Sequence, residues 1–290
     1  MSTRAPIDVT VTLDDGRALG VRVWPGRGTP LVLLHGLLDS SAGWDELARA
    51  SERPCYAIDL PGFGRSHLPS RPRFSAYADD VVQVLTSLGV RDCTLVGHSL
   101  GGGVAAAVAE RDPDRVASLV LSAPTGFGAL RLAELGSLPV IRHCAVAVLP
   151  RLLRNGPALN AGYHAFVTTP AGPGPADELK ERLQTESHRV GPGLDAALKA
   201  LAAAARSPRA FHRRRLGYRG PVSVLWGDRD GLVPVAHADA VKASLPAAVL
   251  HIWQGMGHHP QREQPRRLAA FIEAAAAAAA PAPLAERLAA

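Results

Sequence analysis

The 290-residue sequence has few cysteines, few aromatic residues and no long apolar run. Its three cysteines, Cys55, Cys93 and Cys144, are odd in number and far apart, which disfavours a disulfide framework and favours reduced, buried thiols. No segment reaches the roughly 18 uncharged apolar residues of a membrane span. Residues 1–15 also lack the continuous apolar stretch of a secretory signal. We therefore expect a cytoplasmic protein without a membrane-spanning segment.

Aromatic side chains make up only 5% of the sequence, although the formal net charge is +6. The densest basic patch lies in residues 206–219 and would be compatible with a polyanionic partner. Modules that bind nucleic acid add aromatic stacking platforms, which this sequence lacks. We therefore interpret the patch as solvated surface and expect a small-molecule substrate, with no nucleic-acid partner. The sequence indicates no particular oligomeric state.

Metal-binding patterns are absent, although the sequence contains eleven histidines. There is no His-Glu-x-x-His motif and no Cys-x-x-Cys motif. The adjacent side chains of His258 and His259 are expected to point to different sides of the backbone. We therefore assign no metal and no cofactor.

The distribution of apolar residues predicts an α/β fold. Residues 7–13 and 19–24 alternate with period two around a turn, which predicts an antiparallel hairpin. From Leu31, short apolar strands alternate with helical stretches, which is typical of a parallel sheet with helices on both faces. We expect helices near residues 43–51, 74–88, 99–111, 235–244 and 264–279.

The strand pattern stops between residues 125 and 216, a stretch that is rich in Pro, Gly, Ala and Arg. A short amphipathic segment, 129–135, lies within it. We interpret 125–216 as an inserted helical lid that covers the site, and residues 1–124 and 217–290 as the core. A longer loop whose helices only pack against the core remains an alternative.

Residues 97–101 read Gly-His-Ser-Leu-Gly between an apolar strand and a run of small residues. In this strand–turn–helix context, Gly-x-Ser-x-Gly is typical of a nucleophile elbow. The serine of such a turn has a strained backbone and an accessible hydroxyl, and Gly97 and Gly101 are needed where the strand and the helix nearly touch. Ser99 is therefore the candidate nucleophile.

A nucleophilic serine needs a base, and the base needs a carboxylate that orients it. Asp228 and Asp230 follow one apolar strand, and His258 and His259 follow the next. The chain order Ser, Asp, His accompanies this type of elbow. Because each group follows a strand, the three segments can converge at the carboxyl edge of a parallel sheet. The residues themselves leave the choice within each pair open.

An oxyanion hole combines the backbone N–H of the residue after the nucleophile with an N–H from the loop after an earlier strand. Leu100 follows Ser99 and supplies the first group. The apolar run 31–34 leads into Gly36 and Leu37. Gly36 lets the backbone approach a substrate closely, and Leu37 supplies the second N–H.

Several neighbours of these groups are expected to support them. His35 is expected to order the oxyanion loop through a hydrogen bond. His98 is expected to pack beside the elbow and not to transfer a proton. Together with Gly36, Gly97 and Gly101, they complete the set of candidate site residues.

Five blocks of the sequence resemble those of the α/β-hydrolase family. The blocks are His35-Gly36, residues 59–66 (DLPGFGRS), residues 97–102 (GHSLGG), residues 226–234 with Asp230, and residues 257–265 with His258 and Glu263. The resemblance implies an α/β-hydrolase fold with a mostly parallel central sheet, helices on both faces and an inserted helical lid. It implies that Ser99 is the nucleophile, Asp230 the orienting acid and His258 the base. It also implies Leu37 and Leu100 as oxyanion donors.

The family resemblance implies an acyl-serine intermediate, because Ser99 stands where other relatives have a carboxylate nucleophile. We expect hydrolysis of a carboxylic ester, either a small to medium apolar ester or a lactone, without a cofactor. One alternative is hydrolysis of a carbon–carbon bond in a vinylogous diketone, for which Arg142, Arg151 or Arg154 would bind the substrate carboxylate. Residues 37–40, Leu-Leu-Asp-Ser, lack the Gly-Pro and Asn pattern that we associate with that subgroup. A second alternative is ligand binding without turnover.

Overall fold

The computed structural model describes residues 4–128, 130, 138, 140–141, 143–144, 147–148, 187–207 and 210–279. Its strands are β1 (Ile7–Thr12), β2 (Ala18–Trp24), β3 (Leu31–Leu34), β4 (Cys55–Ile58), β5 (Cys93–His98), β6 (Val116–Ser122), β7 (Val222–Gly227) and β8 (Val249–Trp253). The helices in this part of the chain are α1 (Asp45–Ala50), α2 (Phe74–Ser87), α3 (Leu100–Arg111), α4 (Ser187–Arg206), α5 (His237–Ser244), α6 (Pro260–Glu263) and α7 (Pro265–Ala279).

The eight strands form one sheet in the order β1-β2-β4-β3-β5-β6-β7-β8. β1 and β2 form the predicted antiparallel hairpin, and β2 is also antiparallel to β4. All the other neighbouring strands of this sheet are parallel. The predicted α/β class with a mostly parallel sheet is therefore confirmed, and the helices expected outside residues 125–216 are present close to their predicted bounds.

Alternate residues of the central strands enter two separate cores. In β3, Val32 and Leu34 pack on the face that α2 and α3 cover, whereas Leu31 and Leu33 pack on the face that α1 and α7 cover. Successive side chains of a strand point to opposite faces, so a strand that is buried on both faces consists mostly of apolar residues. Burying each of these side chains contributes about 1.5–3 kcal/mol. The helices on both faces of the sheet therefore explain the uninterrupted apolar runs of the sequence.

The parallel strands end at one edge of the sheet. The segments that leave β3, β5, β7 and β8 at their carboxyl ends contain residues 35–39, Ser99, Asp230 and His258, respectively. Strands β3 and β5 are neighbours, as are β7 and β8, and β6 lies between the two pairs. This topology places the candidate residues along one edge.

The cysteines only partly match the expectation of buried thiols. Cys55 and Cys93 lie in core strands and are buried, and burial raises the pKa of each thiol to about 12. Cys144 is exposed, so the expectation of a buried thiol is wrong for this residue. The physical reason is that Cys144 belongs to neither of the two cores that cover the sheet.

Most of the stretch 125–216 lies outside the described residues, including the predicted helical segment 129–135 except residue 130, and Arg142, Arg151 and Arg154. Within α4, Ala197 and Leu201 are buried and join the core of α2 and α3. The division into core and lid stays a prediction.

The basic patch at residues 206–219 is not entirely solvated. Arg214 is half-buried and forms a bidentate ion pair with Glu110 of α3, whereas Arg213 and Arg215 are exposed.

Among the helices that the structure describes, none combines the length and the hydropathy needed to cross a membrane.

Candidate active site

Ser99 occupies the tight turn between β5 and α3, with φ 52° and ψ −114°. This is a strained conformation for a residue with a side chain. A Cβ atom at Gly97 would lie 2.3 Å from the carbonyl oxygen of Gly101, and one at Gly101 would lie 2.3 Å from that of Leu34. Only glycine fits at either position. The elbow conformation that the motif predicts is therefore present, and Ser99 remains 7% exposed.

The imidazole of His258 is bonded to the carboxylate of Asp230, with 2.7 Å between Nδ1 and Oδ2. Both side chains are buried. The other oxygen of Asp230 accepts the backbone N–H groups of Leu232 and Val233, at 2.9 Å each. Burial alone would raise the pKa of Asp230, but His258 and these two N–H groups hold it below its usual value. The charged carboxylate accepts Nδ1–H, which leaves Nε2 as the basic nitrogen of His258.

The alternatives that the sequence left open have different surroundings. Asp228 is exposed, and its Oδ1 accepts the backbone N–H of Gly255 at 2.7 Å. His259 is buried, with its ring centroid 5.1 Å from that of His98, and burial lowers its pKa well below the usual value. Asp230 and His258 are the members of the two pairs that contact each other.

His98 contacts the backbone of His258. Its Nε2 lies 2.7 Å from the carbonyl oxygen of His258, and its Nδ1 lies 3.1 Å from Nε2 of Gln261. Because a carbonyl only accepts, His98 donates from Nε2 and accepts from the Gln261 amide at Nδ1. Burial lowers the pKa of His98 to about 3, so the ring is neutral. His98 thus packs beside the elbow, and it also holds a backbone atom of His258, a contact that the sequence did not predict.

The rings of His98 and His258 connect the elbow to the loop after β8, with centroids 4.7 Å apart. Ser99 follows His98 directly. Among the contacts of the described residues, no hydrogen bond joins Ser99 Oγ to His258 Nε2. Bonds of this kind in free enzymes are often long and tighten when substrate binds.

The expectation that His258 and His259 point to different sides of the backbone is wrong. Their ring centroids are 5.1 Å apart, and ring nitrogens of His98, His258 and His259 lie within 4.8 Å of one another. The backbone at His259, with φ −112° and ψ 68°, is not extended, so adjacent side chains do not alternate. A metal ion bound by all three rings would have to displace one of the two bonds of His98, either the bond to Gln261 or the bond to the carbonyl of His258.

The two candidate oxyanion donors are available. Among the residues that the structure describes, the N–H groups of Leu37 and Leu100 have no backbone or side-chain acceptor. A Cβ atom at Gly36 would lie 3.2 Å from Cβ of Ser99, so this loop runs directly beside the elbow. Leu38 has φ 60°, a strained value that turns the chain immediately after Leu37. Leu100 begins α3, and the positive end of the helix dipole therefore lies at the same place.

His35 is fully buried and bridges two loops. Its Nδ1 lies 2.7 Å from the carbonyl oxygen of Gly36, and its Nε2 accepts the backbone N–H of Leu60 at 2.9 Å. These two bonds connect the loop after β3 to the segment 59–66. The arrangement supports the expected ordering of the oxyanion loop by His35.

Sequence reasoning missed a buried ion pair between these loops. Nη2 of Arg262 lies 2.6 Å from Oδ1 of Asp39, and the side chains are 3% and 4% exposed, respectively. Asp39 lies two residues after Leu37, and Arg262 lies four residues after His258. Their positions in the oxyanion and histidine blocks are the only sequence signal for this contact.

A model of the alpha/beta hydrolase fold family matches residues 29–265. An uncharacterized protein of Mycobacterium tuberculosis is 32% identical over 264 residues, which cover 86% of this chain and 75% of that protein. A 2-hydroxymuconate semialdehyde hydrolase of Pseudomonas putida is 28% identical over 266 residues, which cover 86% of this chain and 87% of that enzyme.

The solved structure of a membrane phospholipase A, described as a bacterial virulence factor, is similar with a TM-score of 0.71 and 25% sequence identity. The similarity covers 94% of this chain and 86% of that one. The family match extends over more than three quarters of the sequence and includes the elbow and both downstream loops. The chain therefore belongs to the α/β-hydrolase fold family.

Proposed function

We propose that this chain is a serine hydrolase that cleaves a carboxylic ester, a small to medium apolar ester or lactone, through an acyl-enzyme. One observation carries the proposal: the buried bond between His258 and Asp230 lies at the sheet edge that holds the strained Ser99 and the two unbonded amides of Leu37 and Leu100. Family membership and the similarity to a phospholipase support it.

In the first half of the reaction, Ser99 Oγ attacks the ester carbonyl while Nε2 of His258 accepts the hydroxyl proton. Asp230 holds the ring in the required tautomer and stabilises the imidazolium. The carbonyl oxygen gains negative charge and accepts hydrogen bonds from the N–H groups of Leu37 and Leu100. Loss of one such donor typically costs 10²–10³ in kcat. His258 then donates the proton to the leaving alcohol, and the acyl group stays on Ser99.

In the second half, a water molecule occupies the place of the alcohol. His258 accepts a proton from the water, which attacks the acyl carbonyl under the same two amides. The tetrahedral intermediate collapses, the acid leaves, and the proton returns to Ser99 Oγ. The residues named here complete both halves without a further group.

The 2-hydroxymuconate semialdehyde hydrolase relative supports a second candidate, hydrolysis of a carbon–carbon bond in a vinylogous diketone. The same three side chains would serve it, because the bond that breaks is again next to a carbonyl. The segment Leu37 to Ser40 favours the ester, since it lacks the Gly-Pro and Asn pattern associated with carbon–carbon hydrolases.

The test is a series of p-nitrophenyl esters from acetate to laurate, with a vinylogous diketone dienoate assayed in parallel. We expect ester turnover in the wild type and a loss of at least roughly 10⁴-fold in kcat for Ser99→Ala. Ser75→Ala, which removes an exposed hydroxyl on α2, is the matched control and should retain activity. Turnover of the diketone alone would favour the second candidate, and tight binding of esters without turnover would overturn both.

A further inference from the structure

Helix α6 carries three consecutive side chains that each contact a different part of the proposed site. Gln261 donates to Nδ1 of His98, next to the nucleophile. Arg262 pairs with Asp39, at the end of the oxyanion loop. Glu263 accepts N–H groups from the loop that carries the base. One short turn of helix therefore contacts the elbow, the oxyanion loop and the base loop.

The carboxylate of Glu263 holds the backbone on both sides of His258. Its Oε2 accepts the N–H of Gly257 at 3.0 Å, and its Oε1 accepts the N–H of His259 at 2.9 Å. The carbonyl of His258 is bonded to His98. The backbone position of the base is thus fixed relative to α6.

The ion pair of Arg262 and Asp39 fixes the oxyanion loop relative to the same helix. Besides the guanidinium, Oδ1 of Asp39 accepts the N–H of Ser40 at 2.8 Å. The N–H of Asp39 points to the carbonyl of Gly36 at 3.4 Å, which closes a turn around Leu37. The direction of the Leu37 N–H therefore depends on where Asp39 is held. Because the pair is buried, neither charge can rearrange toward water when its partner is lost.

We propose that Arg262 is a positioning residue, which sets the distance between the oxyanion donor Leu37 and the base His258 by anchoring Asp39 to α6. The inference rests on the proposed function, since it assigns a role within that serine chemistry. Arg262 acts through Asp39 and touches no reacting atom. A misplacement of about 1 Å at a catalytic group costs on the order of 10²-fold in rate, so loosening this anchor slows the reaction while the binding of substrate changes little.

The matched control is an ion pair outside the candidate site in which the carboxylate is buried and the guanidinium is 19% exposed. Nη1 and Nη2 of Arg17 bind the two carboxylate oxygens of Asp80 at 2.8 and 2.6 Å, and the Asp80 side chain is 3% exposed. Arg262→Met and Arg17→Met each leave one buried carboxylate without its guanidinium. Both substitutions are therefore expected to destabilise the protein in the same way, but only Arg262→Met removes a contact with the oxyanion loop.

The experiment measures the rate constant for labelling of Ser99 by a fluorophosphonate, together with kcat and KM for an ester, at a temperature well below the unfolding of every variant. We expect Arg262→Met to lower the labelling rate and kcat by at least about tenfold, with KM within about threefold of the wild type. Arg262→Lys, which keeps a cation near Asp39, should recover part of the rate. Arg17→Met should label within about twofold of the wild type.

Equal labelling rates in Arg262→Met and Arg17→Met would overturn the inference and leave the pair a purely structural one. If Arg262→Met does not fold, Asp39→Asn and Asp80→Asn provide the same comparison with side chains of nearly unchanged shape. Labelling of wild-type Ser99 without ester turnover would overturn the ester proposal, while the labelling rates would still decide the role of Arg262. A wild type that is not labelled at Ser99 would overturn both.

Discussion

The Nδ1 atom of His258 and the Oδ2 atom of Asp230 lie 2.7 Å apart, although 28 positions of sequence separate the two residues. They are brought together because they follow β8 and β7, which are parallel neighbours in the sheet. Both side chains are shielded from water. In such a buried environment the interaction of a charge with a hydrogen-bond donor is stronger than at the surface.

Exchange of the carboxylate for an amide tests this pair. Asp230→Asn keeps the shape of the side chain, but its amide group can donate to Nδ1 and so favours the wrong tautomer of His258. We expect kcat for an ester to fall by about 10⁴-fold. Asp228→Asn is the control, because Asp228 is exposed and accepts only the N–H of Gly255 among the contacts described, and it should stay within about threefold of the wild type. The opposite pattern would assign the acid to Asp228.

The elements that the sequence predicts well are those with a local physical signal. β3 is buried on both faces and is entirely apolar, whereas the equally buried β5 is apolar except at Thr94 and His98. The elbow around Ser99 needs glycine at fixed positions because backbones touch there. The choice of Asp230 over Asp228 could not come from the residues alone, since the two carboxylates are chemically alike and two positions apart. The family resemblance suggested it.

Long-range polar contacts had no comparable signal. Asp39 and Arg262 are 223 positions apart. Nothing in the sequence around either residue indicates that it pairs with the other. The packing of His258 against His259 depends on a bend at His259 that no motif specifies. The prediction that Cys144 is buried was wrong, because the number and spacing of the cysteines do not show which of them lies in a core strand and which lies outside the core.

The clamp on the base loop provides a second test. In Glu263→Gln, the remaining side-chain oxygen still accepts one backbone N–H. The new NH₂ group faces the other backbone N–H, and because both groups are hydrogen-bond donors, that bond is lost. We expect the loop around His258 to shift and kcat to fall by roughly tenfold or more, with a smaller change in KM. Glu110→Gln, which weakens the ion pair with Arg214 away from the site, should leave kcat unchanged. A normal kcat in Glu263→Gln, measured in the same ester assay, would show that the clamp is dispensable.

The buried, neutral His98 makes stability depend on pH. Burial lowers the pKa of His98 to about 3, whereas in the unfolded chain it titrates near its ordinary value of 6.5. Between these two values the unfolded state binds more protons than the folded state. The contribution of the neutral His98 to the free energy of unfolding is therefore fully present above about pH 6.5 and decreases as the pH falls toward 3. The contribution of one histidine is at most about 1.4 kcal/mol per pH unit.

Urea unfolding at pH 7.5 and pH 5 measures this effect. We expect the loss of stability between the two pH values to be smaller in His98→Asn than in the wild type, whatever the absolute stability of the variant. His67→Gln removes an exposed histidine and should keep the wild-type difference. Identical pH dependence in His98→Asn and the wild type would mean that His98 is not held neutral by burial.

Covalent trapping of the nucleophile tests the central claim most directly. The wild-type protein is incubated with a fluorophosphonate, digested, and analysed by mass spectrometry to locate the adduct. The account predicts one adduct on Ser99, with labelling abolished in Ser99→Ala and strongly slowed in His258→Ala. An adduct on another residue, or labelling that persists in Ser99→Ala, would contradict it.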